Sequence, residues 1–518
     1  MVNDLRFQKA TWFLAVITAY SLNMPPVHCQ TQPSALMMKP QNTFNIAQYG
    51  AVADSKTMCT EAIQKAIDAC ANAGGGRVVV PAGTFLTSTI ILKSRVNLHL
   101  EDKAVLLGSP WFKDYPPQKP KEHRRDERYL LTSLIFAQGV HDISVTGKGT
   151  LNGNSQAEND FMNDGRIAKH RPCLIWFDEC TNVLVKDVTF TSSGFWTETY
   201  TLCRNVHVDG ITVTDSDFRN NDGCNVVDCD NFLVENCDIN ALDDGICLKG
   251  YTPRGCNNVV IRNNRVRSTC NGIKAGTDSS GGFRNILIEN NEVYQTGISG
   301  IALELVDGGV MENVIVRNIK MDVVGTPIFI KLGDRNRPVY VDGVETKVPV
   351  GILRDVKISG IHATVDKANK LNDQQKQFHN FGPFASSITG IPGYLVENVC
   401  INNVDIEILG GFPIRTAEDA QRRIEENSTK YPENRMFGVL PAYGFYIRHA
   451  KNIKMNNIRV AIRQKDARSA FVLDDVHDSL FHDIRTENVT TTSPFFVHPN
   501  CTKVDVKMKK SGDVPAVR

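Results

Sequence analysis

The chain has 518 residues, a formal charge of +1, 42% hydrophobic residues and 22% charged ones. That balance is ordinary for a globular chain and gives no reason to expect nucleic acid or an anionic membrane surface as partner. Any charged ligand must be attracted by local features.

In chain order, Arg6 and Lys9 precede an apolar stretch from Thr11 to Leu22, followed by polar Gln30, Thr31 and Gln32. This predicts a signal peptide over 1–29, cleaved near 27–29, and hence a periplasmic or extracellular protein. No other segment approaches the ~20 apolar residues of a membrane-spanning helix. A single domain is expected over 43–505. It opens with FNIAQYGA at Phe44 and continues into helical apolar spacing at Ala62, Ile63, Ala66, Ile67 and Cys70. Gly74, Gly75 and Gly76 end that pattern, so one amphipathic helix is predicted over 59–73.

Down the middle of the chain the phrase Asn-apolar-x-apolar-polar returns every 23 to 28 residues, from Asn182, Asn205, Asn231, Asn258, Asn285 and Asn313. A period of this length marks a solenoid, since one repeat cannot bury its apolar face without its neighbours. Val183 and Val185, or Phe232 and Val234, alternate with polar residues, so the units are short strands and not helices. The leading Asn suits a turn that needs left-handed backbone. The fold predicted is all-β, a parallel β-helix whose N-terminal helix caps the open end. Fourteen cysteines, many inside repeats, read as small buried thiols. No Cys-x-x-Cys pair or Cys/His cluster suggests a metal. Two insertions, 366–393 and 410–445, interrupt the later coils; their aromatics Phe378, Phe381, Tyr431, Phe437 and Tyr443 suit the walls of a carbohydrate groove.

Stacking the repeats exposes a second register: Asp222-Gly, Asp244-Gly, Asn271-Gly, Ser299-Gly, Thr326-Pro. Residues in one column lie one strand spacing apart, roughly 4.8 Å per coil. Asp222 and Asp244 thus become neighbours, with Asp243 beside them. Three converging carboxylates repel and do nothing for stability, but split proton affinities are what glycoside hydrolysis needs, one group as acid and one as base.

These residues, with FNIAQYGA, Asn220-Asn221-Asp222-Gly223 and LDDGICLKG, resemble glycoside hydrolase family 28, the polygalacturonases and their pectin-cleaving relatives, over most of the chain. The resemblance implies a right-handed parallel β-helix, an inverting hydrolase and no cofactor. It implies Asp243 as general acid, Asp222 and Asp244 as activators of water, and Asn220 as the Asn of the first motif. Two family motifs differ. Gly-His-Gly is replaced by Cys270-Asn271-Gly272, and Arg-x-Lys by Ala302-Leu303-Glu304. Those cations hold a galacturonate carboxylate in the family, so a different sugar is expected beside the scissile bond, a neutral one such as rhamnose, attacked from a chain end. Asn271 is expected to hydrogen-bond in place of the histidine. Strand parity puts Lys249, Lys274, Glu304 and Lys331 on the outer face as a groove floor, able to bind a neighbouring uronate, or else as ordinary solvated charges.

The expected partner is a poly- or oligosaccharide and the expected state a monomer. Two other readings stand beside this one. A β-helix polysaccharide lyase would use Lys274 as base and the aspartates as a calcium site. A non-catalytic glycan-binding β-helix would need no converging carboxylates.

Overall fold

The computed structural model describes residues 42–119, 132–155, 171–214, 220–341, 344–366, 384–412, 422–487 and 493–509. The predicted signal peptide and Phe378 and Phe381 lie outside these residues. Among the described residues, no helix is long and apolar enough to cross a membrane.

The chain winds into a right-handed parallel β-helix. Each of the regular coils gives three short strands, and each strand pairs in parallel with its equivalent one coil on. Cys173–Asp178 pairs with Glu198–Thr201, Thr181–Lys186 with Arg204–Asp209, and Thr189–Thr191 with Thr212–Val213. Parallel pairing continues from Thr43–Asn45 to Thr502–Met508. The alternation read in the repeats sets the interior: Val185, Val208, Val234, Ile261, Ile288 and Val316 stack in one unbroken column. Every member is buried, and β-branched side chains suit such a stack because their rotamers are already restricted.

The repeated asparagines do two jobs. Asn182, Asn205, Asn231, Asn258, Asn285 and Asn313 all have φ between 53° and 58°, the left-handed turn expected of them. Their side chains also link coils: Asn205 Nδ2 donates to Asn182 Oδ1 (2.9 Å) and Asn231 Nδ2 to Asn205 Oδ1 (2.8 Å). None of the thirteen described cysteines is in a disulfide. Cys180, Cys203, Cys229 and Cys256 precede strand residues that share one register and so stack coil on coil. Their thiols donate to backbone carbonyls, as from Cys229 to the Tyr200 oxygen.

Among the described residues the one α-helix, α1, spans Thr60–Asn72 and buries Ile63, Ala66, Ile67 and Cys70 against the first strands. Gly75 follows with φ 111°, and a Cβ there would meet Arg95 at 2.6 Å, so the chain leaving the helix needs a glycine at this position. Residues 422–441 of the second insertion lie on the outer face of the coils. Ile424, Phe437 and Leu440 pack there with Ala302, Phe329, Tyr446 and Val472 as a second, smaller core.

Candidate active site

The column read from the sequence exists. Cys224 pairs with Ile246, Ile246 with Ile273, Ile273 with Ile301 and Ile301 with Ile328, which places Asp222, Asp244, Asn271, Ser299 and Thr326 in line. Backbone bonds fix it: Gly223 N donates to Asp244 O (3.0 Å) and Gly245 N to Asn271 O (2.8 Å). The glycine after each carboxylate permits this approach, since a Cβ on Gly245 would lie 2.3 Å from Val266.

Asp222 and Asp244 are 3% and 4% exposed. Asp243 is half-buried at the mouth beside exposed Asn220. Asn220 Nδ2 lies 3.4 Å from Asp243 Oδ2 and its oxygen accepts from Arg171 (3.0 Å). Lys249 Nζ stands 3.3 Å from Asp222, and Lys274 Nζ 3.1 Å from Asp244. Asn271 Nδ2 donates to Asp244 Oδ1 at 2.7 Å, while its own oxygen accepts from Ser299 N. Asn271 therefore orients Asp244.

The three carboxyls sit in different fields. Asp243 is pushed up to about 8 by burial and by Asp222 and Asp244 facing it. Burial also raises Asp222, to about 6, against the pull of Lys249. Burial alone would raise Asp244 as well, but Lys274, Lys249 and the Asn271 bond more than offset it and hold Asp244 below the usual carboxylate range. At neutral pH the site thus holds one protonated acid at its mouth and ionised carboxylates beneath.

The lysines do point away from the coil interior, but they are neither solvated nor an open floor. Lys249, Lys274 and Lys331 are 7%, 2% and 1% exposed. Trp196 covers Lys249 (5.1 Å), Tyr431 covers Lys274 (5.6 Å) and Phe437 covers Lys331 (5.6 Å). Strand parity gives the side of the sheet but cannot see a covering loop. Glu304 is wholly buried; it accepts from Thr277 (3.1 Å) and lies 3.7 Å from Lys274. Its carboxyl is raised to about 8 by burial, against Lys274. Lys331 stands apart: its Nζ lies 3.3 Å from the Gly390 carbonyl, and burial lowers it to about 8. Of the insertion aromatics, Tyr431 is 52% exposed, Phe437 is buried in the second core, and Tyr443 belongs to the solenoid interior.

The closest oxygens of Asp243 and Asp244 lie within 4.8 Å, short of the roughly 6.5–9.5 Å gap usual for inverting pairs. Asp243 and Asp244 share one turn, and Asp222 comes from the preceding coil.

Register would have revealed two neighbours that motif reading passed over. Trp196 falls in the Asp222 column one coil earlier, and Cys270 falls beneath Asp243. Cys247 joins them through Lys249 Nζ, 3.1 Å from its sulfur. Arg171 follows a segment outside the described residues and has no sequence signal.

The sequence model for glycosyl hydrolases family 28 matches residues 70–381, and the chain belongs to that family. It is 31% identical over 220 residues to a probable polygalacturonase of Vitis vinifera, covering 40% of this chain and 44% of that protein. It is 41% identical over 119 residues to an exo-poly-alpha-D-galacturonosidase of Dickeya chrysanthemi, covering 21% and 19%. These alignments span less than half the length of the curated relatives. A hyperthermoactive exopolygalacturonase from Thermotoga maritima has the same fold, with a TM-score of 0.60 and 22% identity over 81% of this chain and 92% of that one.

Proposed function

We propose that the protein is an exported glycoside hydrolase that cleaves a pectin-related glycan with inversion, from a chain end, at a linkage flanked by a neutral sugar. The observation that carries the hydrolase reading is the split between Asp243, protonated at the mouth, and Asp244, ionised below it. Asp243 donates its proton to the leaving glycosidic oxygen. Asp222 and Asp244 take a proton from the attacking water. Both Asp244 oxygens are engaged, Oδ1 by Asn271 and Oδ2 by Lys274. A carboxylate bonded in this way is a poor nucleophile, which favours water attack and inversion despite the short Asp243–Asp244 distance.

The names of the relatives make pectin the natural substrate class, and charge argues for a neutral residue beside the bond. With Asp243 and Glu304 protonated, Asp222 and Asp244 balance Lys249 and Lys274. Neither of these lysines is left over to clamp a uronate. Tyr431 rises from the insertion over Lys274, the partner of Asp244, and an insertion placed so close to the carboxylates favours attack at a chain end.

The lyase reading is disfavoured because its base, Lys274, is buried and ion-paired to Asp244. The positions a calcium ion would need are taken by the two ammonium groups.

The test is a product screen on polygalacturonan, rhamnogalacturonan oligosaccharides and neutral plant glycans. Release of single terminal sugars from a rhamnogalacturonan fragment, with no ultraviolet-absorbing product, is expected. Rapid internal cleavage of unbranched polygalacturonan would overturn the neutral-sugar reading, and an unsaturated product would overturn hydrolysis itself.

A further inference from the structure

Cys270 stands where the family motif has a glycine, and the register sets it directly beneath Asp243, one coil on. Its sulfur and an Asp243 carboxylate oxygen belong to a group of ligand atoms all within 4.8 Å of one another, and a hydrogen bond between these side chains is among the influences on Asp243. Two further bonds hold the pair in register. Ser268 Oγ donates to the Asp243 carbonyl and accepts from Cys270 N (2.9 Å). The backbone on both sides is therefore pinned, and the thiol, 4% exposed, has little freedom to turn away.

We propose that Cys270 is a positioning residue for Asp243: its S–H donates to the carboxylate left when Asp243 gives up its proton, and so tunes Asp243 as an acid. This rests on Asp243 being the general acid. A thiol can fill this role only while it keeps its proton. Burial, with Asp243, Asp244 and Glu433 nearby, drives the Cys270 thiol well above its ordinary range, so sulfur remains a donor wherever the enzyme works. The other charged groups facing Asp243 are Asp222 from the preceding coil and Lys274 from the following one, with Glu433 of the insertion facing Cys270. A weak neutral donor suits an acid that must release its proton near neutral pH. A cation there would ionise Asp243 prematurely, and an apolar group would leave its carboxylate without support.

The experiment compares Cys270→Ala and Cys270→Ser in the full-length protein, reading kcat/KM against pH on whichever pectic oligosaccharide the screen shows to be cleaved. Each profile is normalised to its own maximum, so partial loss of folded protein does not move it. Alanine should shift the basic limb up by about half to one pH unit and lower the maximal rate several-fold. Serine, a stronger donor of similar shape, should hold that limb at or below its original position and restore the rate. Superimposable profiles, or both variants shifting the same way, would overturn the proposal. Asp243→Asn separates this from the reading beneath it. If that variant is inactive while the Cys270 profiles stay unchanged, only the role of the thiol fails. If it keeps near-normal turnover, the acid assignment fails and the thiol's role with it.

Discussion

Lys274 is the most connected charge in the site, and Lys274→Met removes that charge while keeping much of the side-chain volume. In the native protein its Nζ lies 3.1 Å from Asp244 and 3.7 Å from Glu304, at 2% exposure. Breaking a buried pair from one side costs about 3–5 kcal/mol, because the remaining charge has no partner. Asp244 keeps Asn271 and the field of Lys249, so the lower end, about 3 kcal/mol, applies at pH 8. Glu304 adds little, since without Lys274 it rises further above about 8 and stays protonated. The sign with pH follows. Native Asp244 is depressed, so its contribution to stability is present above the ordinary Asp value of 3.8 and lost as pH falls. In the variant that support is largely gone, and the gap between the two proteins should be widest at pH 8 and narrow toward pH 4. Thermal melts of both proteins at several pH values measure this. The acidic limb of activity should also move upward, because Asp222, which Lys274 also helps to hold down, protonates more readily. An equal loss of stability at pH 4 and pH 8 would refute the pairing argument.

The activity profile itself should be a bell, falling below about pH 6 as Asp222 protonates and above about pH 8 as Asp243 ionises; a profile flat across that window removes the acid–base assignment. Proton NMR of the first-formed product should show the inverted anomer, and retention would mean that Asp222 or Asp244 attacks carbon directly. Glu198 faces the solenoid interior beside Cys224, wholly buried, with one oxygen accepting from Tyr200 and the other without a partner. Burial raises it from 4.5 to about 8. Folding must therefore keep it protonated, and native stability drains away between those two pH values. Glu198→Gln should gain about 3 kcal/mol over the native protein at pH 7 and almost nothing at pH 4.5, read by melts at both. Equal differences at the two pH values would count against it.

The solenoid and the carboxylate column were legible because both are written in spacing. Asn182, Asn205 and Asn231 set the period, and Asp222-Gly followed by Asp244-Gly gave the register without any structure. The sequence could also say that Lys249, Lys274 and Lys331 leave the interior. It could not say that Tyr431 and Phe437 close over Lys274 and Lys331, since that depends on how a later insertion folds back onto the coils. Glu198 was hidden for the opposite reason. It takes an inward place in a column otherwise holding Ile175, Cys224 and Ile246, and a carboxylate there runs against the alternation that identified the strands. Asn271 was half legible: its place beside Asp244 followed from the column, but its bond to the carboxylate needed coordinates.

The stacking of Asp222, Asp243 with Asp244, and Cys270 with Lys274 on three adjoining coils gives the reaction centre a ruler made of backbone. The proposed proton donor, Asp243, shares a coil with Asp244 and stands one rise of the solenoid from Asp222, a lattice constant that no side chain has to specify. Segments that bulge outward from other turns can lengthen, shorten or change their aromatics and leave that constant as it was. Between Asp222 and Lys274, however, a single added or lost residue inside a strand would slip the lattice by one position. A side chain meant for the cleft would then point into the core. Change that retargets the substrate is therefore channelled into the loops, while the proton chemistry is inherited as a fixed block of crystal-like repeats.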